Sequence, residues 1–286
     1  MTETYRLFRP ARQETSVIFA SPHSGRDYSA AFVARSVLDL RTLRSSEDAF
    51  VDDLFAPAVA HGAPLLAART PRAFVDFNRA PDELDPALID GIARAPHNPR
   101  VSSGLGVIPR VVSGARAIYS GKLTLAEAEA RISGHWHPYH QALRALVDQT
   151  HAAFGEAILI DCHSMPHEAL EGQLRPGQIR PDVVLGDRFG AAASGRIVER
   201  IEAAFTAAGL RVARNAPFAG AFVAQSYGRP SGGRHVVQIE IDRSLYLDEA
   251  QIAPHAGFGR FSQRIEGVIA EIAAIGRPAG AALAAE

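Results

Sequence analysis

Hydrophobic and polar positions divide the chain into short apolar runs and amphipathic segments that alternate along most of its length. Val17–Ala20 (VIFA) and Ala157–Ile160 (AILI) are unbroken apolar runs closed by polar residues. That pattern predicts short strands buried on both faces. Pro64–Ala68, Val183–Leu185 and Leu210–Ala213 are predicted as further strands. In His235–Ile241 (HVVQIEI) alternation sets Val237, Ile239 and Ile241 against Val236, Gln238 and Glu240. Ala73–Phe77 (AFVDF) also alternates and is predicted as a strand, with Phe74 and Asp76 on one face. Ser45–Ala60 has Phe50, Leu54 and Val59 near one face, which predicts an amphipathic helix ended by His61-Gly62. Ser45 or Ser46 would cap it, with Glu47 and Asp48 in its first turn. Thr124–Ile132, Pro138–Phe154, Ala191–Ala208 and Ala256–Ile275 are predicted helices, and Thr124 with Glu127 forms a capping box. Ser29–Val37 is predicted as a short helix or turn, and residues 1–15 as an edge strand or arm.

Three segments lack this periodicity. Residues 80–118 are rich in Pro, Gly and Arg and are expected to form a lid or loop region over a site. Residues 168–180 form a second polar loop, and Phe218–Gly233 a glycine-rich hairpin or loop. The alanine-rich tail after Pro278 is expected to fray. Strands alternating with helices, with no clear linker, predict a single three-layer α/β domain over residues 1–286.

Composition narrows the function classes. The 286 residues carry a net charge of −1, so a general nucleic-acid partner is not expected. Arginine greatly outnumbers lysine, which suits binding of small carboxylates. Cys162 is the lone cysteine, which rules out an internal disulfide and a cysteine-based zinc knuckle. A reduced compartment, the cytoplasm, is the expected location. The N-terminal residues lack the apolar core of a signal peptide, and no membrane-spanning run of 18 apolar residues is present.

The chemistry gathers where apolar runs end. Val17–Ala20 leads into Ser21-Pro22-His23-Ser24-Gly25, and Ala157–Ile160 into Asp161-Cys162-His163-Ser164. Open α/β sheets usually place their sites at such carboxyl ends. His23, His163 and Asp48, with Glu47 as the rival acid, make the three-ligand shell of a catalytic zinc site. The competing reading of Glu47 and Asp48 is that they serve the helix dipole. Arg72, Asp76, Asn78 and Arg79 form a second group, in which arginine suits a carboxylate and Asn78 adds a neutral donor; the competing reading is a strand-end turn with a surface arginine. Glu240 sits within an apolar strand, where a carboxylate is costly unless paired or used, so it is the candidate general base. His135, His137 and His140 lie close together beside Pro138 and are read as a helix start.

These residues belong to longer motifs: SPHSG at 21–25, EDAFVDDL at 47–54, RAFVDFNRAP at 72–81, GLGVIPR at 104–110, DCHSMP at 161–166, RPDVVLGDRFG at 180–190 and VVQIEIDRSLY at 236–246. In that order the chain resembles the N-formylglutamate amidohydrolase family, also called N-formylglutamate deformylases. More distantly, the D-x-N-R element and the late strand glutamate resemble zinc acylases of the aspartoacylase type. The resemblance implies a three-layer α/β/α fold with a mixed central sheet, zinc carboxypeptidase-like (phosphorylase/hydrolase-like). It makes His23 and His163 metal ligands together with the acid of the early helix, Asp48 or its neighbour Glu47. The relatives' compact H-x-x-E pair is absent, since Asp27 lies four residues after His23. It makes Arg72, Asn78 and Arg79 the groups that polarise the scissile carbonyl and hold a substrate carboxylate, and Glu240 the base. Arg110 is a candidate second clamp. The expected activity is zinc-dependent hydrolysis of N-formyl-L-glutamate to formate and L-glutamate, in histidine degradation. Another N-formyl or N-acyl amino acid as substrate is the alternative, and a non-catalytic carboxylate-binding protein of the same fold is a second. The expected cofactor is one Zn²⁺ or another divalent metal, and the expected partner is a small N-acyl amino acid.

Overall fold

The computed structural model describes residues 3–92, 98–171 and 179–278. The tail after Pro278, residues 93–97 of the expected lid and residues 172–178 of the second loop lie outside the described residues.

In chain order the elements are β1 (Tyr5–Phe8), β2 (Val17–Ser21), α1 (Ala30–Arg35), α2 (Leu40–Arg44), α3 (Val51–Phe55), β3 (Leu65–Ala68) and α4 (Pro99–Ser102). Then come a small hairpin, β4 (Val111–Val112) and β5 (Arg116–Ala117), α5 (Leu125–Arg131), α6 (His137–Phe154) and β6 (Ala157–Met165). The last are β7 (Val183–Gly186), α7 (Gly195–Ala207), β8 (Val212–Arg214), α8 (Phe222–Tyr227), β9 (Arg234–Asp242) and α9 (Phe258–Ile275). Seven strands form one mixed sheet in the order β1-β3-β2-β6-β9-β7-β8. Its centre, β3-β2-β6-β9, is parallel, and β1 and β7 join it antiparallel.

The sheet is sandwiched. On one face Val17, Phe19, Ile158, Ile160, Val237, Ile239 and Ile241 pack with Leu54 of α3, Ile197 and Ile201 of α7, and Ile265 and Ile269 of α9. On the other, Ile18, Ala20, Leu159 and Val236 pack with Leu143 and Val147 of α6 and Val223 of α8. The three-layer α/β architecture and the mixed sheet are as expected. The two-sided burial explains why β2 and β6 read as unbroken apolar runs.

Several local expectations fail for stated reasons. Ala73–Phe77 is a series of turns, with Phe74 N and Val75 N both donating to Pro71 O. Its apolar side chains are buried by tertiary packing: Phe77 stacks on Tyr139 with centroids 4.3 Å apart. The helix predicted over 45–60 starts at Val51, because Phe50 takes a left-handed conformation (φ 62°) that interrupts it. Glu47 and Asp48 therefore precede the helix. β6 runs on to Met165, well past the apolar run that ends at Ile160, since its register with β9 is unbroken from Ala157↔Arg234 to Met165↔Asp242. The Phe218–Gly233 loop contains α8, and the 80–118 segment contains α4 and the β4–β5 hairpin. The capping box is half made: Thr124 accepts from Glu127 N, but the Glu127 carboxylate turns to Arg131.

Candidate active site

Three short segments meet at the carboxyl ends of the central parallel strands. His23 lies just beyond β2, where Gly25 lets the chain pass against the next loop. A Cβ at Gly25 would sit 2.1 Å from Thr70 O, closer than any side chain permits. The loop carrying Asp48 docks on this segment through Asp48 N, which donates to His23 O at 3.0 Å. His163 stands on β6, opposite Glu240 of β9.

His23, Asp48 and His163 are buried and each offers one ligand atom within 4.8 Å of the other two. Asp48 Oδ2 lies 2.8 Å from His163 Nδ1 and 3.3 Å from His23 Nδ1. The far nitrogens are held by carboxylates: His23 Nε2 by Asp76 Oδ1 at 2.7 Å, and His163 Nε2 by Asp161 Oδ2 at 3.1 Å. Such partners orient both rings so that each Nδ1 points toward Asp48. His23 Nδ1 is buried and makes no hydrogen bond. Two imidazole nitrogens, each a ligand once it carries no proton, and a carboxylate oxygen converging in a buried space suit a divalent cation. Without a metal, a proton supplies the positive charge these groups attract. Burial opposes charge on His163, but Asp161, Asp48 and Glu240 outweigh it and push its pKa well above the ordinary value. Burial likewise opposes charge on Asp48, yet His163 and His23 hold it well below the usual range. Positive charge between these groups is thus favoured. Glu47 takes no part: its carboxylate is bound by Arg44, Nε to Oε1 at 3.0 Å.

A surrounding layer fixes the ligands. Asp76 also accepts from Arg72 Nε at 3.0 Å and from Asn78 N at 2.8 Å. Asn78 Nδ2 lies 3.0 Å from His163 Nε2 and donates to Asp161 Oδ2 at 3.2 Å, and its Oδ1 accepts from Val223 N at 2.8 Å. Arg243 Nη2 donates to Asp48 Oδ1 at 2.9 Å.

His23, Asp48, Asp76, Asn78, His163 and Arg243 line a cavity of about 570 Å³, with Asp161 buried behind them. Glu240 lines it, and Gln238 Nε2 donates to Glu240 Oε1 at 2.8 Å. Burial pushes the Glu240 carboxyl up to about 7, against the pull of His163. Arg72, Arg79, Arg100 and Arg243 also line the cavity. Arg79 is buried, and its Nε and Nη1 donate to the carbonyls of Leu105 and Asn78. Among the described residues no carboxylate forms an ion pair with it. Arg110 does not line this cavity; its Nε is bound to Asp85 Oδ2 at 2.8 Å.

A family model described as N-formylglutamate amidohydrolase matches residues 15–247, a span that holds every one of these side chains. The chain belongs to that family. It is 30% identical to the N-formylglutamate deformylase of Pseudomonas aeruginosa, over 91% of this chain and 92% of that protein. It is 28% identical to the N-formylglutamate deformylase of Pseudomonas putida, over 82% of this chain and 83% of that protein. The crystal structure of N-formylglutamate amidohydrolase from Ralstonia eutropha JMP134 superposes with a TM-score of 0.89 at 34% identity, covering 95% of this chain and 98% of that one. A gene product of Agrobacterium tumefaciens, 17% identical with a TM-score of 0.64, shares the fold.

In this family member the fold brings His23, Asp48, His163, Glu240, Arg72, Asn78 and Arg79 to one cavity. Arg110 is left out, and the Asn78 amide is already engaged by protein groups. Asp161 and Arg243 were not singled out by sequence. In the sequence Asp161 reads only as a polar residue closing an apolar run. Arg243 follows the β9 run directly, and nothing local distinguishes it from a solvated arginine. The three histidines near Pro138 do not form a metal group. His135 meets Thr70 Oγ1, and His140 meets Tyr227 Oη and Phe77 O.

Proposed function

We propose that this chain hydrolyses the formyl C–N bond of N-formyl-L-glutamate, releasing formate and L-glutamate, with a divalent metal, zinc first, held by His23, Asp48 and His163. The observation that carries the reading is the convergence of two buried histidine Nδ1 atoms on Asp48 beneath a cavity lined by Glu240 and four arginines. The named relatives support the substrate. A metal bound by these three groups supplies Lewis acidity.

The chain's own residues do the rest. Glu240 takes a proton from the attacking water. Its burial raises its affinity for that proton above that of an ordinary carboxylate. Water oxygen then bonds to the formyl carbon, and the carbonyl oxygen gains negative charge. Arg72, oriented by Asp76, faces that charge as an electrostatic donor; one such donor is worth about 3–4 kcal/mol in other enzymes. Glu240 delivers its proton to the nitrogen as the C–N bond breaks, so glutamate leaves as the amine. Arg79, a buried cation without an acid partner among the described residues, holds a substrate carboxylate. A cytoplasmic setting and a place in histidine degradation fit this activity and are proposed with it. So is the organisation of residues 1–286 as a single catalytic domain.

The test is formate release from N-formyl-L-glutamate by the purified protein, with chelator and zinc add-back in parallel. N-formyl-L-aspartate and N-acetyl-L-glutamate serve as comparison substrates. Chelator-sensitive release, restored by zinc and strongest with the glutamate compound, is expected. Bound metal with turnover only of another compound would keep the hydrolase and replace the substrate. Absence of both metal and turnover would favour a carboxylate-binding protein.

A further inference from the structure

We infer that Arg243 is a positioning residue that acts through Asp48: it holds one carboxylate oxygen so that only the other faces the two histidines, and so sets metal affinity. The inference rests on the proposed metal site.

Arg243 is buried and immediately follows β9. Its guanidinium ties three segments together. Nη2 donates to Asp48 Oδ1 at 2.9 Å, Nε to Ser164 Oγ at 3.1 Å, and weaker contacts reach Ser164 O and Ser45 O, each at 3.4 Å. Asp48 is thereby divided. Oδ1 is occupied by Arg243, while Oδ2 alone approaches His163 Nδ1 and His23 Nδ1. A free carboxylate rotates and binds a cation through one oxygen or both. Here rotation would break a charge-assisted bond inside the protein, so one-oxygen ligation is built in before any metal arrives. Each ligand then has its own holder: Asp76 for His23, Asp161 for His163, and Arg243 for Asp48. Arg243 also lines the cavity, so a direct contact with substrate carboxylate is the competing role.

Two measurements on Arg243→Ala, Arg243→Lys and wild-type protein separate these roles. The first is the zinc dissociation constant of the metal-stripped protein, read by chelator competition without substrate. The second is KM and kcat at saturating zinc. A positioning role predicts zinc affinity weakened about 10–100-fold in Arg243→Ala. It also predicts a smaller loss in Arg243→Lys, recovery of Arg243→Ala affinity on adding guanidinium, and KM within about threefold of wild type once zinc saturates. Unchanged zinc affinity with a raised KM would assign Arg243 to substrate and overturn the inference. Equal weakening in both variants, without guanidinium rescue, would overturn it in favour of a general packing role. If Arg243→Ala does not fold, Arg243→Lys alone decides, since it keeps the charge but not the fork; wild-type affinity in that variant overturns the inference. Wild-type protein that binds no divalent ion would instead overturn the metal reading beneath it.

Discussion

Replacing Asp76 by alanine would strike two functions at once, because one buried carboxylate supports both a candidate metal ligand and a candidate catalytic arginine. Asp76 Oδ1 accepts from His23 Nε2 at 2.7 Å and from Asn78 N at 2.8 Å, while Oδ2 accepts from Arg72 Nε at 3.0 Å. Burial alone would raise the Asp76 pKa, but His23, Arg72 and Arg79 hold it well below the ordinary carboxylate value. Its charge is therefore part of the folded site at neutral pH. Removing one partner of a buried pair typically costs about 3–5 kcal/mol. The Arg72 side chain is 24% exposed, so water recovers part of its solvation and a loss of about 3 kcal/mol is expected. For activity, loss of a carboxylate behind a histidine ligand weakens metal binding about 10–100-fold. A loosened oxyanion donor costs about a hundredfold in turnover. Without added metal the two multiply to about 10³–10⁴ in kcat/KM, and at saturating zinc about 10² remains. Asp76→Asn keeps an acceptor oxygen and should fall between wild type and Asp76→Ala. The assay is formate release at limiting and saturating zinc, with metal content and thermal unfolding measured on the same samples. An Asp76→Ala protein with wild-type metal content and less than tenfold loss of kcat/KM would refute the reasoning.

Other consequences are equally open to measurement. Glu240→Gln should lower kcat by about 10²–10⁴ with zinc content unchanged; a loss below tenfold in the formate assay would remove Glu240 from proton transfer. Because burial raises the Glu240 pKa to about 7 from its ordinary value of 4.5, the folded protein retains a proton that the unfolded chain releases between those pH values. In the metal-free protein that group makes stability fall as pH rises through this window, and denaturant titrations across pH should lose the trend in Glu240→Gln. Arg110→Ala should cost about 1–3 kcal/mol by leaving buried Asp85 without its ion pair, yet change KM little; a tenfold rise in KM would return Arg110 to the substrate. Gly25→Ala should lose both stability and zinc, since its Cβ would collide with Thr70 O behind His23; wild-type zinc content and melting temperature would show that the loop has room to shift.

Sequence alone determined the layered architecture and the chemical repertoire. Apolar runs such as Val17–Ala20 and Ala157–Ile160 can be satisfied only by strands covered on both faces, and alternation in His235–Ile241 put Glu240 on the face opposite Val237 and Ile239. The residue types for metal ligation and proton transfer were legible because polar side chains closing or interrupting such runs are costly without a use. Tertiary structure decided which acid serves and which arginine faces the cavity. Glu47 and Asp48 are neighbours in sequence with the same charge, but the left-handed turn at Phe50 precedes the helix, one carboxylate reaches Arg44, and the other meets the histidines. Arg110 is a candidate clamp by sequence, yet Asp85, 25 residues away in sequence, turns it from the cavity. The alternation of Ala73–Phe77 misled because burial came from Tyr139 on a distant helix rather than from neighbouring strands. The period of a local pattern reports which side chains are buried, whereas the partner that buries or pairs them is set by contacts far along the chain.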